Sequence, residues 1–223
     1  MLALLYDVHG NASALEAVLA DAERAGARSY LVGGDLVAFG VDPSGTLERL
    51  RALRDVRWLR GNTDRWLLET PVDAPPFLWR ALDETRRTLR WDEIEWLYSL
   101  STRIEHDGVL YVHASPLADS HSFAPDPEKQ DERLLAGVSG QTVVFGHSHL
   151  QFVREGPNGT RLVNPGSVGQ PLDGDPRAAY ALVDGARFDQ RRIDYDHIGA
   201  AAALRALGSW AEPFADRVER ARA

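Results

Sequence analysis

Cysteine is absent from the 223-residue chain. That excludes disulfide staples and every thiolate metal site, so any metal must be held by oxygen and nitrogen ligands. A cysteine-free composition also fits a reducing cytoplasm. No apolar run approaches the length that a bilayer-spanning helix requires. The opening residues, Met1 to Tyr6, lack the basic flank and the length of a secretion signal and suit a buried first strand better. The expectation is therefore a cytoplasmic protein with no membrane partner. Positive charge is scarce: 25 Lys and Arg face 33 Asp and Glu, for a formal net charge of -8. Proteins that grip long nucleic acid by its phosphates carry a basic surface, which argues against that partner. A small anionic substrate remains open if bound cations supply the local positive charge.

What is present describes a folded domain. Hydrophobic residues make up 44% of the chain and charged residues 26%, the balance of a globular protein long enough for one sizeable core. Residues 2–6 form an apolar strand. A helix follows over Ser13–Ala25, with Leu15, Val18, Leu19 and Ala22 at helical spacing, a Ser13/Glu16 capping box and Gly26 as its stop. Ser29–Gly33 is the second strand, Asp42-Pro43 opens the second helix, and Val56–Leu59 is the third strand. Three strand–helix units in a row predict a parallel sheet with right-handed crossovers. Residues 65–101 break that rhythm, and helices over about 77–90 and 92–99 are expected to lie across one end of the sheet. The second half is strand-rich, with Asp107-Gly108 marking a tight hairpin. A helical stretch over about 197–222 closes the chain. These elements predict a single α/β domain, residues 1–223, of two sheets packed face to face with helices outside both.

Five short segments place metal-ligating side chains just beyond predicted strands, where open α/β sheets bind their ligands. They are Asp7-Val8-His9, Gly34-Asp35, Gly61-Asn62, His113 and Gly146-His147-Ser148-His149. Glycine before Asp35, Asn62 and His147 permits a tight turn and leaves room for an ion. An imidazole and carboxylate set suits Mn, Fe, Zn, Co or Ni better than Ca or Mg alone. Seven ligands exceed the needs of one tetrahedral ion. Asp35 is the central candidate to bridge two. Two divalent ions about 3.5–4 Å apart can hold the attacking and leaving oxygens of a phosphoryl group and turn a bridging water into hydroxide near neutral pH. Each fragment alone is weak, because an Asp after a strand is often a helix cap and a lone His is often a core side chain. Together they point to a metal centre.

Several longer segments sharpen this. Tyr6-Asp7-Val8-His9-Gly10-Asn11, Gly33-Gly34-Asp35-Leu36, Arg60-Gly61-Asn62-Thr63-Asp64, Val112-His113 and Gly146-His147-Ser148-His149 resemble, in order, the five motifs of the calcineurin-like metallophosphoesterase superfamily. Gly40-Val41-Asp42-Pro43 and the stretch from Asn164 to Pro171 resemble a bacterial branch of predicted phosphodiesterases. The resemblance implies a four-layer αββα sandwich of mixed sheets. It implies one metal on Asp7, His9, Asp35 and His149, and a second on Asp35, Asn62, His113 and His147. Asp35, Asn62 and His113 are then the candidate catalytic residues, and the activity is phosphoester hydrolysis, phosphodiesters favoured, with manganese the foremost metal. A protein Ser/Thr-type phosphomonoesterase and a non-catalytic metal-binding scaffold are the alternatives. Two positions depart from the pattern. Thr63 stands where many members carry a His that protonates the leaving group, and Tyr6 stands where a small residue is common.

Outside the ligand set, Arg60 is a candidate phosphate contact and His121 a candidate replacement acid, each against the plainer reading of an ion pair or a solvated loop residue. Arg86, Arg87 and Arg90 could face an anionic substrate, and Trp66, Trp79, Trp91 and Trp96 could stack on a base, although a solvated helix face and simple packing are the defaults. The turn at Asn164-Pro165-Gly166-Ser167 is expected to hold the loop beneath the His147/His149 segment.

Overall fold

A computed structural model describes residues 1–222. The chain opens with β1 (Leu2–Leu5), α1 (Ala12–Arg24), β2 (Ser29–Gly33), α2 (Pro43–Arg51) and β3 (Val56–Leu59). Three helices follow, α3 (Asn62–Trp66), α4 (Pro76–Thr88) and α5 (Trp91–Ser99). The second half carries β4 (Arg103–His106), β5 (Val109–Val112), the short α6 (Asp131–Leu134), β6 (Thr142–Val144), β7 (Gln151–Glu155), β8 (Arg161–Pro165), β9 (Ala178–Asp184) and β10 (Arg187–Ile193). It ends in α7 (His197–Ala206) and α8 (Glu212–Arg220).

Among the described residues these strands form two five-stranded mixed sheets, ordered β10-β9-β1-β2-β3 and β4-β5-β6-β8-β7. β1, β2 and β3 run parallel, as their alternation with helices predicts, and β9 returns antiparallel along the free side of β1. The two-residue period of a strand divides the core. Leu2, Leu4, Tyr6 and Leu31 point to the second sheet and meet Tyr111, Val144 and Val163. Ala3, Leu5 and Val32 point the other way, onto Leu15, Val18, Leu47 and Phe214 of the helices. Outside the second sheet the helical layer is thin, since Phe145 and Leu162 are covered by α6 and by Phe123 and Val138. This is the expected α/β sandwich.

Three local expectations change. The cap of α1 is Asn11, which accepts the Ala14 amide, while Ser13 donates to Asn11 and Glu16 reaches Arg49 instead of closing a capping box. The C-terminal helix is two helices, because Gly208 takes φ 128° and Pro213 sits in the first turn of α8. The tight turn expected at Gly61-Asn62 is the start of α3, with Gly61 at its N-cap. No helix among the described residues is long and apolar enough to cross a membrane.

Candidate metal centre

The ends of β1, β2 and β3 from one sheet and of β5 and β6 from the other converge on one edge of the sandwich. The loops after β1 and β2 are tied together by Asp7 N–H donating to Gly34 O (3.2 Å), His9 N–H to Asp35 O (2.9 Å) and Gly10 N–H to Leu36 O (3.1 Å). Asp7, His9, Asp35, His147 and His149 all take left-handed backbone, with φ between 50° and 64°. Such conformations are uncommon outside glycine and persist where the surroundings over-determine them, typically at functional sites. Here they turn side chains off the strand ends into a shared space. The glycines serve close approach. A Cβ on Gly61 would lie 2.1 Å from Asp35 Oδ1.

The candidate ligand residues fall into two groups. Asp7, His9 and His149 bring one ligand atom each within 4.8 Å of one another, and so do Asp35, His113 and His147. Asp35 faces both groups. Its Oδ2 lies 3.6 Å from His9 Nε2 and its Oδ1 3.5 Å from His113 Nε2. The side-chain amide of Asn62 completes the second group, 3.0 Å from His113 Nε2 and 2.8 Å from His147 Nδ1.

The donor chemistry of this cluster fits cations. The Nδ1 of His9 lies 3.0 Å from Ala38 O, that of His113 2.9 Å from Gly33 O and that of His149 2.5 Å from Gln170 O. A carbonyl accepts only, so each neutral ring must carry its proton there and present a lone pair at Nε2. Yet His9 Nε2 and His149 Nε2 face each other at 3.1 Å. Asp7 Oδ1 is buried with no hydrogen-bond partner among the described residues. Lone pairs turned toward lone pairs, beside an orphaned carboxylate oxygen, are what a divalent cation resolves.

Electrostatics agree. Burial raises the Asp7 carboxyl well above its usual range, and neighbouring Asp35 adds to this. Burial holds His9 and His149 below the ordinary imidazole value and His147 at about 4. Burial also opposes charge on Asp35 and His113, but these two stabilise one another. Asp35 stays well below the carboxylate range and His113 is pushed up to about 10.

The comparisons with known proteins agree with this chemistry. Residues 1–187 match the model of the calcineurin-like phosphoesterase superfamily domain. The chain belongs to that superfamily. An uncharacterized protein of Methanocaldococcus jannaschii is 30% identical over 88% of each chain. A metallophosphoesterase from Sphaerobacter thermophilus shares the fold with a TM-score of 0.79 and 27% identity over 98% of each chain. A hypothetical protein from Pyrococcus horikoshii aligns with a TM-score of 0.84 over 98% of this chain and 99% of its own, at 20% identity.

Within this phosphoesterase the centre opens into a cavity of about 290 Å³, lined by His9, Asp35, Asn62, Thr63, His147 and His149, with apolar walls from Phe39, Trp66, Phe77, Leu78, Leu172 and Phe214. Other candidates lie elsewhere. Arg60 does not line it. It donates to Tyr98 O at 2.8 Å and stands over the Tyr98 ring, because the strand's alternation ends where α3 begins. His121 is exposed on its loop and outside the cavity lining. Arg86 donates to the Trp66 and Leu67 carbonyls at the end of α3, and Arg87 and Arg90 pair with acids on their own surface. Of the tryptophans only Trp66 reaches the cavity, whereas Trp96 packs edge-on against Trp58. Asn164 donates to Gly146 O and Ser148, and Ser167 to Asp7 O, so the 164–170 turn braces two ligand loops. Tyr6 crosses between the sheets to Val144 O, filling the space that a Cβ on Gly33 would need.

Sequence reasoning passed over Asp64. It is fully buried and accepts the amides of Asp35 (2.9 Å), Leu36 (3.0 Å) and Gly61 (2.8 Å), locking two ligand loops together. Burial and the Asp35 charge push its carboxyl up to about 7. The Gly-Asn-Thr-Asp spacing carried the signal, since an Asp three residues after Gly61 can cap its amide.

Proposed function

We propose that this phosphoesterase hydrolyses small phosphoesters, with phosphodiesters and aryl esters favoured over alkyl monoesters, using two divalent cations of which manganese is the foremost candidate. The observation that carries the reading is Asp35, whose two oxygens each face a separate histidine group. Asp7, His9, Asp35 and His149 would hold one cation, and Asp35, Asn62, His113 and His147 the other. When bound, the pair supplies Lewis acidity toward a water and the phosphoryl oxygens.

The chain's own residues support the preference among substrates. Cleaving an alkyl ester calls for a proton on the departing oxygen, a service that contributes about 10²–10⁴-fold. Apart from the proposed ligands, no His, Asp or Glu lines the cavity among the described residues. Thr63 stands there instead, buried, with its hydroxyl unpartnered among the described residues. Aryl leaving groups depart without protonation, and Phe39, Phe77 and Phe214 offer such groups an apolar wall. We therefore expect kcat/KM for an aryl phosphodiester to exceed that for glycerol phosphate, and Thr63→His to narrow the gap. Steady-state kinetics with manganese, nickel, cobalt, zinc and magnesium in turn test this. Equal turnover of both ester classes in wild type refutes the preference, and no turnover of any ester would leave a metal-binding scaffold.

A further inference from the structure

Helix α8 brings into the cavity a residue that none of the ligand motifs contains. Arg217 lines it beside the proposed ligands and is the only Arg or Lys to do so among the described residues. A run of rings fixes its place. His9 stacks on Phe39 at 5.7 Å, Phe39 stacks on Phe214 at 4.7 Å, and the Arg217 guanidinium lies 5.8 Å from the Phe214 ring centre. The C-terminal helix is thus registered, ring upon ring, to a residue of the metal centre.

The charge of Arg217 is unanswered. Nearby Arg205 on α7 meets Glu212, Asp216 and Glu219, and Arg220 lies near Asp216. Arg217 has no carboxylate partner among the described residues, though it is half-buried and burial works against its charge. A desolvated guanidinium without a counter-ion is costly and has five donors to offer. Thr63 lines the same cavity, and its Oγ1, buried beneath the wall, is also unpartnered among the described residues. Both conditions are relieved by one ligand, an anion carrying several acceptor oxygens.

We infer that Arg217 is a substrate-binding residue that donates to a non-bridging oxygen of the phosphoester, with Thr63 Oγ1 as a second contact. The inference rests on the phosphoesterase reading above. It makes α8 part of the binding site and selects substrates by their anionic oxygens independently of the leaving group.

The test is phosphate binding to the manganese-loaded full chain by titration calorimetry, alongside kcat and KM for an aryl phosphodiester. Arg217→Met keeps the aliphatic stem against Phe214 and removes the donors. It should weaken inorganic phosphate by roughly 10- to 100-fold and raise KM more than it lowers kcat, with manganese affinity unchanged. Arg217→Lys should recover part of the loss, as a point charge without the fork. Unchanged phosphate affinity and KM in Arg217→Met overturns the inference. So does loss of manganese in parallel with phosphate in both variants, which would make Arg217 a support for His9. If wild type binds phosphate but cleaves no ester, the phosphoesterase reading fails while the calorimetric comparison still decides the role of Arg217.

Discussion

Asp35 faces one histidine group with each oxygen, and Asn62 touches only the second. Their substitutions should therefore differ in kind. Asp35→Asn removes charge from both groups, so equilibrium dialysis should show both manganese equivalents weakened and hydrolysis abolished. Asn62→Ala should weaken one equivalent, with excess metal restoring part of the rate. Full activity in both variants would contradict the assignment. Asp64 acts one step back. Asp64→Asn turns an NH₂ toward amides that need an acceptor and strands at least one, a cost of about 1–3 kcal/mol. In a chain of this size that lowers Tm by roughly 2–12 °C, and thermal unfolding with chelator present should show it without any contribution from metal. The convergence of the candidate ligands was legible because residue types and short spacings carry it. Arg60 and Arg217 were not, because the direction of Arg60 depends on where β3 gives way to α3, and Arg217 joins the site only through the tertiary stack on Phe39.

At the scale of elements, the first half was legible nearly to the residue, since strand–helix alternation, the Asp42-Pro43 start and the Asp107-Gly108 turn are local signals. The C-terminal stretch reads as helical, and Gly208 and Pro213 are the residues that divide it into α7 and α8. The contact that pins α1 to the sheet was invisible, because it joins residues far apart in sequence. Asp21 on α1 accepts from the Tyr180 hydroxyl at 2.6 Å and lies 2.9 Å from Arg191 Nε, gathering α1, β9 and β10. Burial works against its charge, but Tyr180, Arg24 and Arg191 outweigh it and lower its pKa below 3.8. Folding thus depresses this carboxyl, so its stabilisation is present above pH 3.8 and fades as the pH falls through the lower folded value. Asp21→Asn should cost about 1.5–3 kcal/mol near neutral pH, or roughly 3–12 °C in Tm. The two proteins should converge in acid, and a gap that stays constant down to about pH 2 would show that the carboxylate charge is not the source.

For the whole molecule, the metal centre is where the two sheets meet, so cations that bind there should act on global stability. A ligand that binds only the folded state contributes about 2.7 kcal/mol at a hundred times its dissociation constant, which is roughly 5–11 °C for a chain of this size. The effect should depend on pH with a definite sign. In the metal-free protein His113 is raised to about 10 by Asp35. A raised imidazole stabilises the metal-free fold fully below its unfolded value near 6.5, and that contribution is lost as the pH rises through 10. The loaded protein gains nothing from this proton, because His113 needs its Nε2 lone pair for the cation. The Asp7 carboxyl, also raised, must give up its proton in the same direction. His9, His147 and His149, all lowered, are neutral in the metal-free and the loaded fold alike, so the stability they add as the pH rises through 6.5 is common to both and cancels in the difference. Raising the pH therefore takes from the metal-free form a contribution that the loaded form never had, and cation binding strengthens. Thermal unfolding with manganese and with chelator, at about pH 6, 7 and 8, should show a Tm difference that widens at each step. A difference that narrowed with pH would mean that the cations bind somewhere other than this pair of coupled Asp and His groups.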